Sequence, residues 1–397
     1  MLLEYQVPYN ERIAKAIEYA KIHEKIHFPQ KELDNWKTRN LLSFSALEHI
    51  FEINAKYADV PVIYQNIWFC LHEQRITRYR AGGRLINPPV SFYPIYIEIS
   101  EENIKLIKDA IKVAGSRDKF AKLVCYDTAS LNAWLLKKRK PPVTSIIKSC
   151  QILGIDFWDE LENTKLYGKT SKDYITFTNN YPNDIDDIRI WIENEGSLAT
   201  SSTEITFKQN ESGLDALRKL QDLFIHIFGI KGSISFDKNS EAYLLRIISA
   251  PIRQVLCLKY NIPLGYKIYS QPSTDLFEFV NRQEGLRKLA RNLETEGCFT
   301  FIRKKNADYL RVSFGSANRA RRDLFTGMAN NLGFKFMSYD QEKRRNYHSV
   351  IVDNTEIIKL INEIAPYMWN KNKINKAIQN PRLKSEVRNK IKIENYV

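Results

Sequence analysis

Apolar residues along this chain recur with two different periods, and the change of period divides the chain into segments. Between residues 99 and 165, they recur at helical spacing in short runs that are separated by turn-forming residues. From residue 185 onwards, helical runs alternate with stretches in which every second residue is apolar. The second pattern predicts helices packed on one face of antiparallel sheets. We therefore expect an α+β fold with a separate all-α segment.

Two further segments carry less information. Residues 1–98 contain two helical runs, a basic stretch with two glycines and a strand-like segment, which together predict an N-terminal α/β region of unknown role. Residues 166–184 are mostly polar and are predicted to be a linker between domains.

Residues 99–165 have the element order of a helix-turn-helix unit. We expect Gly115 to end the first helix, Ser116 to cap the second and Thr128 to open the third. The segment resembles the helix-turn-helix domains of phage repressors, in which the helix after the turn reads base edges. The resemblance assigns a core and two sets of DNA-contacting residues to this chain. The core set is Phe120, Ala121, Leu131, Trp134 and Leu135; the base-reading set is Asp127, Thr128, Ser130 and Asn132; the backbone-contacting set is Lys137, Lys138, Arg139 and Lys140. The alternative is a helical packing unit with a solvated run of charges.

An internal duplication organises the second half of the chain. The nonamers IRIWIENEG and LARNLETEG both end in Glu-x-Glu-Gly, and the patterns of two strands, a helix, two strands and a helix follow each of them. Each half, residues 185–270 and 271–397, is therefore predicted to be an αββαββα unit, and the second ends in a basic C-terminal tail. In each strand, polar residues alternate with apolar ones, which predicts one helix-covered face and one polar face.

The duplicated halves resemble the LAGLIDADG homing endonucleases, with the two nonamers in the place of the nine-residue signature. The resemblance covers roughly residues 185–380. It implies that the two signature helices pack at a pseudo-two-fold axis and that the two sheets form a saddle over DNA. It also implies that Glu195 and Glu296 bind Mg²⁺ or Mn²⁺ for phosphodiester hydrolysis. Lys267 and Lys371 are the nearest matches to the basic residue that each half of such an enzyme carries.

The signature helices of that family usually have small residues at the third and seventh positions. This chain has larger ones there, namely Ile190, Asn194, Arg291 and Thr295. We expect such side chains to separate or rotate the two helices. Two functions remain open: a metal-dependent, site-specific double-stranded DNA endonuclease, and a non-cutting transcriptional regulator or architectural protein that uses a degenerate fold of this type together with its helix-turn-helix.

The charge of the chain favours a polyanionic partner. Sixty Lys and Arg residues against 46 Asp and Glu residues give a formal net charge of +14. Double-stranded DNA fits better than RNA, because the major groove of A-form RNA does not admit side chains. The alternative is a basic protein without a nucleic-acid partner. The residues predicted to contact phosphates are Lys208, Arg303, Lys304, Arg311, Lys343, Arg344 and Arg345.

The cysteines and the hydropathy pattern bear on location. Five scattered cysteines form no CxxC pair, as expected of thiols in a reducing compartment. No apolar run reaches the length of a membrane span. We expect a cytoplasmic, nucleoid-associated protein that acts as a monomer, because the duplication supplies both halves of a two-fold arrangement.

Overall fold

The computed structural model describes most of the chain from residue 95 to residue 391. The gaps in this range are residues 125, 169–172, 199–202, 261, 263–271, 305–306 and 342–345. Nearer the N-terminus, it describes two antiparallel strand pairs, β1 (Gln6–Pro8) with β2 (Leu41–Ser43) and β3 (Tyr79–Ala81) with β4 (Arg84–Ile86). The helical runs predicted within residues 1–98 lie outside the described residues.

The chain divides into two compact units. Unit 1 comprises residues 1–181, 198–204 and 248–266, and unit 2 comprises residues 182–197, 205–247 and 267–397. The predicted domain boundaries stay a prediction. Within the described residues, no helix combines the length and the apolar character that crossing a membrane requires.

Unit 1 contains the predicted cluster of short helices. They are α1 (Glu101–Ala114), α2 (Arg117–Leu123), α3 (Thr128–Leu135), α4 (Val143–Leu153) and α5 (Phe157–Glu160).

The ends of these helices follow the expected capping chemistry. Gly115 ends α1 with a φ of 88°, which favours glycine because it has no Cβ. The Ser116 hydroxyl oxygen accepts a hydrogen bond from the Lys119 N–H at 3.1 Å. Thr128 is the first residue of α3, as predicted, and the preceding Asp127 caps the helix, since its carboxylate accepts from the Ser130 N–H at 2.6 Å.

The segment predicted to be a linker is partly built into unit 1. Strands β5 (Tyr96–Ile97), β6 (Lys165–Tyr167) and β7 (Tyr174–Thr176) form an antiparallel sheet in this order. Ile175 and Phe177 bury their side chains almost completely, because alternate residues of β7 and its extension face the same core. Residues 166–181 are therefore part of unit 1, and the sheet also incorporates residues before position 98.

The first αββαββα half has the predicted element order. Its elements are α6 (Ile185–Asn194), β8 (Gly196–Leu198), β9 (Glu204–Gln209), α7 (Leu214–Phe228), β10 (Ser233–Asp237), β11 (Ala242–Ile248) and α8 (Ala250–Leu258). Helix α8 belongs to unit 1. There, the Ser249 hydroxyl donates to Asp173 Oδ1 at 2.8 Å, and Lys259 Nζ donates to Asn179 Oδ1 at 3.0 Å.

The second half repeats this order. Its elements are α9 (Arg282–Thr295), β12 (Gly297–Lys304), β13 (Ala307–Ser316), α10 (Arg319–Asn331), β14 (Met337–Gln341), β15 (Asn346–Ile351) and α11 (Asn354–Ile364). The two four-stranded sheets have equivalent strand orders, β8-β9-β11-β10 and β12-β13-β15-β14. The predicted duplication of elements is thus observed, whereas the pseudo-two-fold saddle stays a prediction.

Side-chain alternation in β13 shows how a sheet of unit 2 meets its helices. Leu310, Val312 and Phe314 are buried, and the Phe314 ring stacks on Phe325 of α10 with centroids 4.1 Å apart. Tyr309, on the opposite face, is exposed. The apolar period of two therefore fixes which face of the sheet packs on helices.

The predicted basic C-terminal tail is folded up to residue 391. It forms α12 (Lys371–Ile378) and α13 (Ser385–Arg388). Both helices contribute to the core of unit 2, because apolar residues recur on one face of α12 and continue after it. These core residues are Ile374, Ala377, Ile378, Leu383, Val387 and Ile391.

A glycine follows both Glu195 and Glu296 because the chain turns back closely on the preceding helix. A Cβ at Gly297 would lie 2.2 Å from the Leu293 carbonyl oxygen, and one at Gly196 would lie 2.7 Å from the Ile192 Cα. Each Glu-Gly pair thus marks a helix-to-strand turn that has no room for a side chain.

Substitution of Gly297 by Ala should lower the free energy of unfolding by about 1–3 kcal/mol, since the backbone has to move to admit the methyl group. The matched control is Gly327→Ala in α10, where a Cβ meets nothing within 4 Å. That substitution should raise the free energy of unfolding by about 0.5–1 kcal/mol, because alanine favours a helix over glycine. Urea denaturation of both variants measures the difference, and equal effects would contradict the steric explanation.

Candidate carboxylate site and nucleic-acid interface

Helices α6 and α9 of unit 2 lie side by side and run parallel. At one end, Asn194 Nδ2 donates to Thr295 Oγ1 at 2.5 Å. Towards the other end, Arg287 Nη1 donates to Asp184 Oδ1 at 2.6 Å. The contacting residues advance together in both helices, so both C-termini lie at the same end of the pair.

Glu195 and Glu296 are the C-cap residues of these two helices. Their backbone N–H groups donate to the carbonyls of Trp191 and Asn292, at 2.9 and 3.0 Å. Each glutamate directly follows one member of the Asn194–Thr295 contact, so the structure brings both of them to one end of the helix pair. Negative charge is unfavourable at a helix C-terminus, and here two such termini and two carboxylates meet.

Lys373 places a positive charge at the C-terminus of α9. Its Nζ donates to the carbonyl oxygens of Leu293 and Glu294, at 3.2 and 2.7 Å. Burial lowers the pKa of Lys373, whereas attraction by carboxylates of this end, including Glu195 and Glu296, opposes that shift. Lys373 therefore compensates both the last carbonyls of α9 and the acidic side chains.

Arg321 of α10 does the same at the C-terminus of α6. Its Nη1 donates to the Glu193 carbonyl oxygen at 2.7 Å, and its Nη2 lies 3.1 Å from Glu193 Oε2. Burial lowers the pKa of Arg321, and the charges of Glu193 and Glu296 oppose this. Each signature helix thus ends next to a cationic side chain from a different part of unit 2.

From its size, we expected Arg291 to separate the two helices. In the structure, it does not. Its guanidinium lies over the Trp369 ring, 3.6 Å from the centroid, and Nη2 donates to the Tyr367 carbonyl at 2.6 Å. Nη1 donates to Glu294 Oε2 at 2.5 Å, and Nε lies 3.5 Å from Asp187 Oδ2. The side chain is directed towards the segment after α11, which leaves room for the Asn194–Thr295 contact.

The two buried acids around Arg291 depend on it electrostatically. Burial raises the pKa of Glu294, and the Arg291 charge opposes this. Burial likewise raises the pKa of Asp187, opposed by Arg291 and Arg287. The Asn370 N–H also donates to the Glu294 carboxylate. Glu294 therefore has a structural environment, distinct from that of the half-buried Glu296 two residues later.

Ion pairs between acidic side chains of α6 and basic side chains of α9 also hold the two helices together. Asp184, Asp186 and Asp187 stand at the start of α6, where acids favour the helix dipole. They meet cations of α9: Lys288 Nζ lies 3.1 Å from Asp186 Oδ2, and Arg287 contacts Asp184. Ionic and polar contacts therefore contribute to this helix interface.

The predicted basic residues of the site have different outcomes. Lys371 is the first residue of α12 and is half-buried, and Lys373, two residues later, makes the contacts to α9. Lys267 lies outside the described residues. Our sequence reasoning missed Lys373 and Arg321, and the only signal for Lys373 was its place in the same Lys-Asn-Lys run.

The predicted phosphate contacts on the sheets are described only in part. Lys208 is exposed, and its Nζ lies 3.6 Å from Asp237 Oδ2. Arg311 is half-buried and pairs in register with Thr300. Arg303 and Lys304 lie in β12, but their side chains are outside the described part, as are Lys343, Arg344 and Arg345.

The residues predicted to read bases in unit 1 take part in local contacts. The Thr128 hydroxyl donates to Asp118 Oδ1 at 2.8 Å, and Asn132 Oδ1 accepts from Arg117 Nη1 at 3.2 Å. Ser130 is half-buried, and its N–H serves the α3 cap.

The basic residues that follow α3 are exposed. Lys137 has a φ of 57° and pairs with Glu101, and Lys138 and Arg139 extend the exposed run. Of the predicted core residues, Leu135 is half-buried and the other four are buried: Phe120, Ala121, Leu131 and Trp134. The helical core was therefore predictable, whereas DNA contact by this unit stays a prediction.

A cleft of about 690 Å³ opens in unit 2 beside the helix C-termini. It is lined by Glu195 and Thr295 together with residues from the turn after β9, from β12 and from the C-terminal segment. These are Gln209, Asn210, Ser212, Cys298, Phe299, Thr300, Phe301, Asn370, Lys373, Lys376, Ala377, Asn380 and Arg382. The Glu195 carboxylate is thus next to a polar cleft that carries several cations.

Near the end of the helix pair, Glu193 and Glu294 contact Arg321 and Arg291, and Glu195 and Glu296 are the carboxylates predicted to bind a divalent cation. In the part of the chain that the structure describes, no group of three or more His, Cys, Asp or Glu residues is arranged to bind a metal. Mg²⁺ commonly binds to one or two carboxylates and completes its octahedron with water and phosphate oxygens. Glu195 and Glu296 fit that mode of binding and not a cage made of protein ligands alone.

Comparison with known proteins gives partial likenesses in structure. No protein-family model and no curated protein matches the chain. I-DmoI in complex with DNA and Mn is 18% identical with a TM-score of 0.33, covering 46% of this chain and 96% of that one. The I-SmaMI LAGLIDADG homing endonuclease bound to cleaved DNA is 15% identical with a TM-score of 0.34, covering 53% and 96%. Full-length DUF199/WhiA from Thermatoga maritima is 12% identical with a TM-score of 0.33, covering 52% and 63%.

Replacement of Lys373 by Met should lower the free energy of unfolding by about 1–3 kcal/mol, because two backbone carbonyls lose their charged donor. The matched control is Lys376→Met, an exposed lysine one turn later in α12, whose effect should stay within about 0.5 kcal/mol. Urea denaturation measures both. Equal stabilities of the two variants would show that Lys373 does not compensate the end of α9.

Proposed function

We propose that this chain is a sequence-specific double-stranded DNA-binding protein of the LAGLIDADG type that hydrolyses phosphodiester bonds at Glu195 and Glu296. The observation that carries the proposal is the parallel pair α6–α9, which ends in these two glutamates. Each helix then leads into a sheet of the same strand order. One chain thereby presents two acids from two similar halves, which suits a duplex with two strands to be cut.

The surface of unit 2 supports a DNA partner. Outward-facing positions of β9 and β11 carry Thr206, Lys208 and Arg246, and β13 carries Arg311. A polar, cation-bearing sheet face can hydrogen-bond with base edges and phosphates in the major groove. The net charge of +14 adds long-range attraction to the duplex.

The repulsion between the carboxylates of Glu195 and Glu296 favours a metal cofactor at this end of the helix pair. Carboxylates at one end of a helix pair repel each other and favour a bound cation. Glu195 and Glu296 would hold Mg²⁺ or Mn²⁺, and such an ion supplies water activation and stabilisation of charge on the leaving oxygen. Lys373, which contacts the end of α9, would add a positive charge that attracts a phosphate group to this end.

The second candidate function is a non-cutting DNA-binding regulator, and one observation favours it. Lys373 and Arg321 already place positive charge at the ends of both signature helices. The acids could then serve the fold of unit 2 without any metal. In either case, unit 1 would add a second DNA contact through the exposed Lys138 and Arg139 after α3.

Selection of bound sequences from random duplexes, followed by incubation with Mg²⁺ or Mn²⁺, separates the two functions. The endonuclease should cut both strands of the selected duplex. Glu195→Gln and Glu296→Gln should each lower the cleavage rate by roughly 10³-fold, because a charged group at the reacting phosphate is lost. Affinity should be retained.

The control for that experiment is Glu386→Gln, which removes an exposed acid from α13 and should leave cleavage unchanged. Specific binding without cleavage in either metal would eliminate the endonuclease in favour of the regulator. Absence of specific binding would eliminate both functions.

A further inference from the structure

The cleft beside Glu195 contains two cationic side chains that the proposed reaction does not use. Lys376 of α12 and Arg382, which follows this helix, both line the cleft and are both exposed. Neither forms an ion pair with an acidic side chain in the described part of the chain. Lys208, by contrast, lies beside Asp237. The charges of Lys376 and Arg382 are therefore available to an anion from outside.

The position of Arg382 is fixed by its own loop. Its N–H donates to Asn380 Oδ1 at 3.0 Å, which forms a tight turn. Arg388 Nη2 donates to the carbonyls of Asn380 and Leu383, at 3.0 and 3.4 Å. Leu383 and Val387 are buried on the inner side of this loop. The loop is thus a built element of unit 2, and little backbone freedom is lost when Arg382 binds a ligand.

The position of Lys376 is fixed by the helix that carries it. Ile374, Ala377 and Ile378 bury the opposite side of α12 in the core of unit 2. Lys373, on the same helix, is held by the carbonyls at the end of α9. The core and Lys373 together orient Lys376 towards the cleft.

The remaining lining is chemically suited to phosphate oxygens. The turn after β9 contributes Asn210 and Ser212, and β12 contributes Thr300. The Ser212 hydroxyl donates to Asn210 Oδ1 at 2.6 Å and so orients this side chain, whose amide N–H groups are hydrogen-bond donors of the kind that contact DNA phosphates. Among the described residues that line the cleft, Glu195 is the only one with a carboxylate side chain. The volume of about 690 Å³ is large enough for a stretch of sugar and phosphate.

We propose that Lys376 and Arg382 bind neighbouring phosphates of one DNA strand that passes through this cleft beside Glu195. The proposal rests on DNA binding by unit 2 and adds the C-terminal segment to the interface. The segment then has a function besides packing: it holds the strand next to the carboxylate end of α6 and α9. A free phosphate-bearing molecule shares the same chemistry, and the experiments below separate it from a DNA strand.

The first experiment measures the salt dependence of affinity for the selected duplex. Each lysine or arginine that neutralises a phosphate contributes about 0.9 to the slope of log affinity against log salt. The double variant Lys376→Gln/Arg382→Gln should therefore lower the slope by about 1.8. The control is Lys219→Gln/Lys231→Gln, which removes two exposed charges on or just after α7 and should leave the slope unchanged.

An unchanged slope for the cleft variant, with normal wild-type binding, overturns the proposal while the proposed function stands. A wild-type chain that binds no duplex contradicts the proposed function itself, and with it the strand in the cleft. The two failures are therefore distinguishable.

The second experiment tests the cleft without any duplex. Full-length protein is titrated into inorganic phosphate, and the ³¹P line width is recorded. Broadening by the wild type and the α7 control, and markedly less by the cleft variant, is the expected result. Equal broadening by all three overturns the cleft as a phosphate site. Broadening that depends on Lys376 and Arg382, together with an unchanged salt slope, overturns the DNA strand and assigns the cleft to a free phosphate-bearing molecule.

Discussion

The fold of unit 2 depends on how the charge at the common end of α6 and α9 is balanced. Parallel packing brings two helix C-termini and two glutamates, Glu195 and Glu296, together, which electrostatics alone disfavours. Lys373 and Arg321 oppose this with direct contacts to the last turns of both helices. Because they come from α12 and α10, the compensation ties the C-terminal segment and the second half to the helix pair. It is at this end of the pair that the proposed function places a metal ion and a phosphate.

Much of this architecture could be predicted because the same residue pattern occurs twice in the sequence. The recurrence of Glu-x-Glu-Gly and the strand alternation after it predicted both element orders and the buried residues of β13. Gly115 likewise predicted the C-terminus of α1, and Ser116 predicted the N-terminus of α2. Such features are local: residue type indicates the backbone conformation, and the period of the apolar residues indicates which face is buried. Both can be read from a single sequence.

The contacts that decide the site could not be predicted in this way. Lys371 and Lys373 flank the buried face of α12 on opposite sides, and only packing shows which side meets α9. Arg291 was expected to be too large for a helix interface, but its guanidinium packs on the ring of Trp369, which is distant in sequence. Strands β6 and β7 are three residues long, too short for a periodic signal. Strand β6 pairs with the distant β5 on one side and with β7 on the other.

The measurement that tests the central claim most directly is affinity cleavage from the carboxylate end of the helix pair. Ser197, exposed and next to Gly196, is replaced by Cys in a Cys298→Ser background and labelled with an iron chelate that cuts nearby DNA. Labelled Cys298→Ser alone corrects for other thiols. The account predicts cuts on both strands at the centre of the bound sequence. Cuts at its edge, or none above the control while binding is retained, would show that this end of α6 and α9 does not face the DNA.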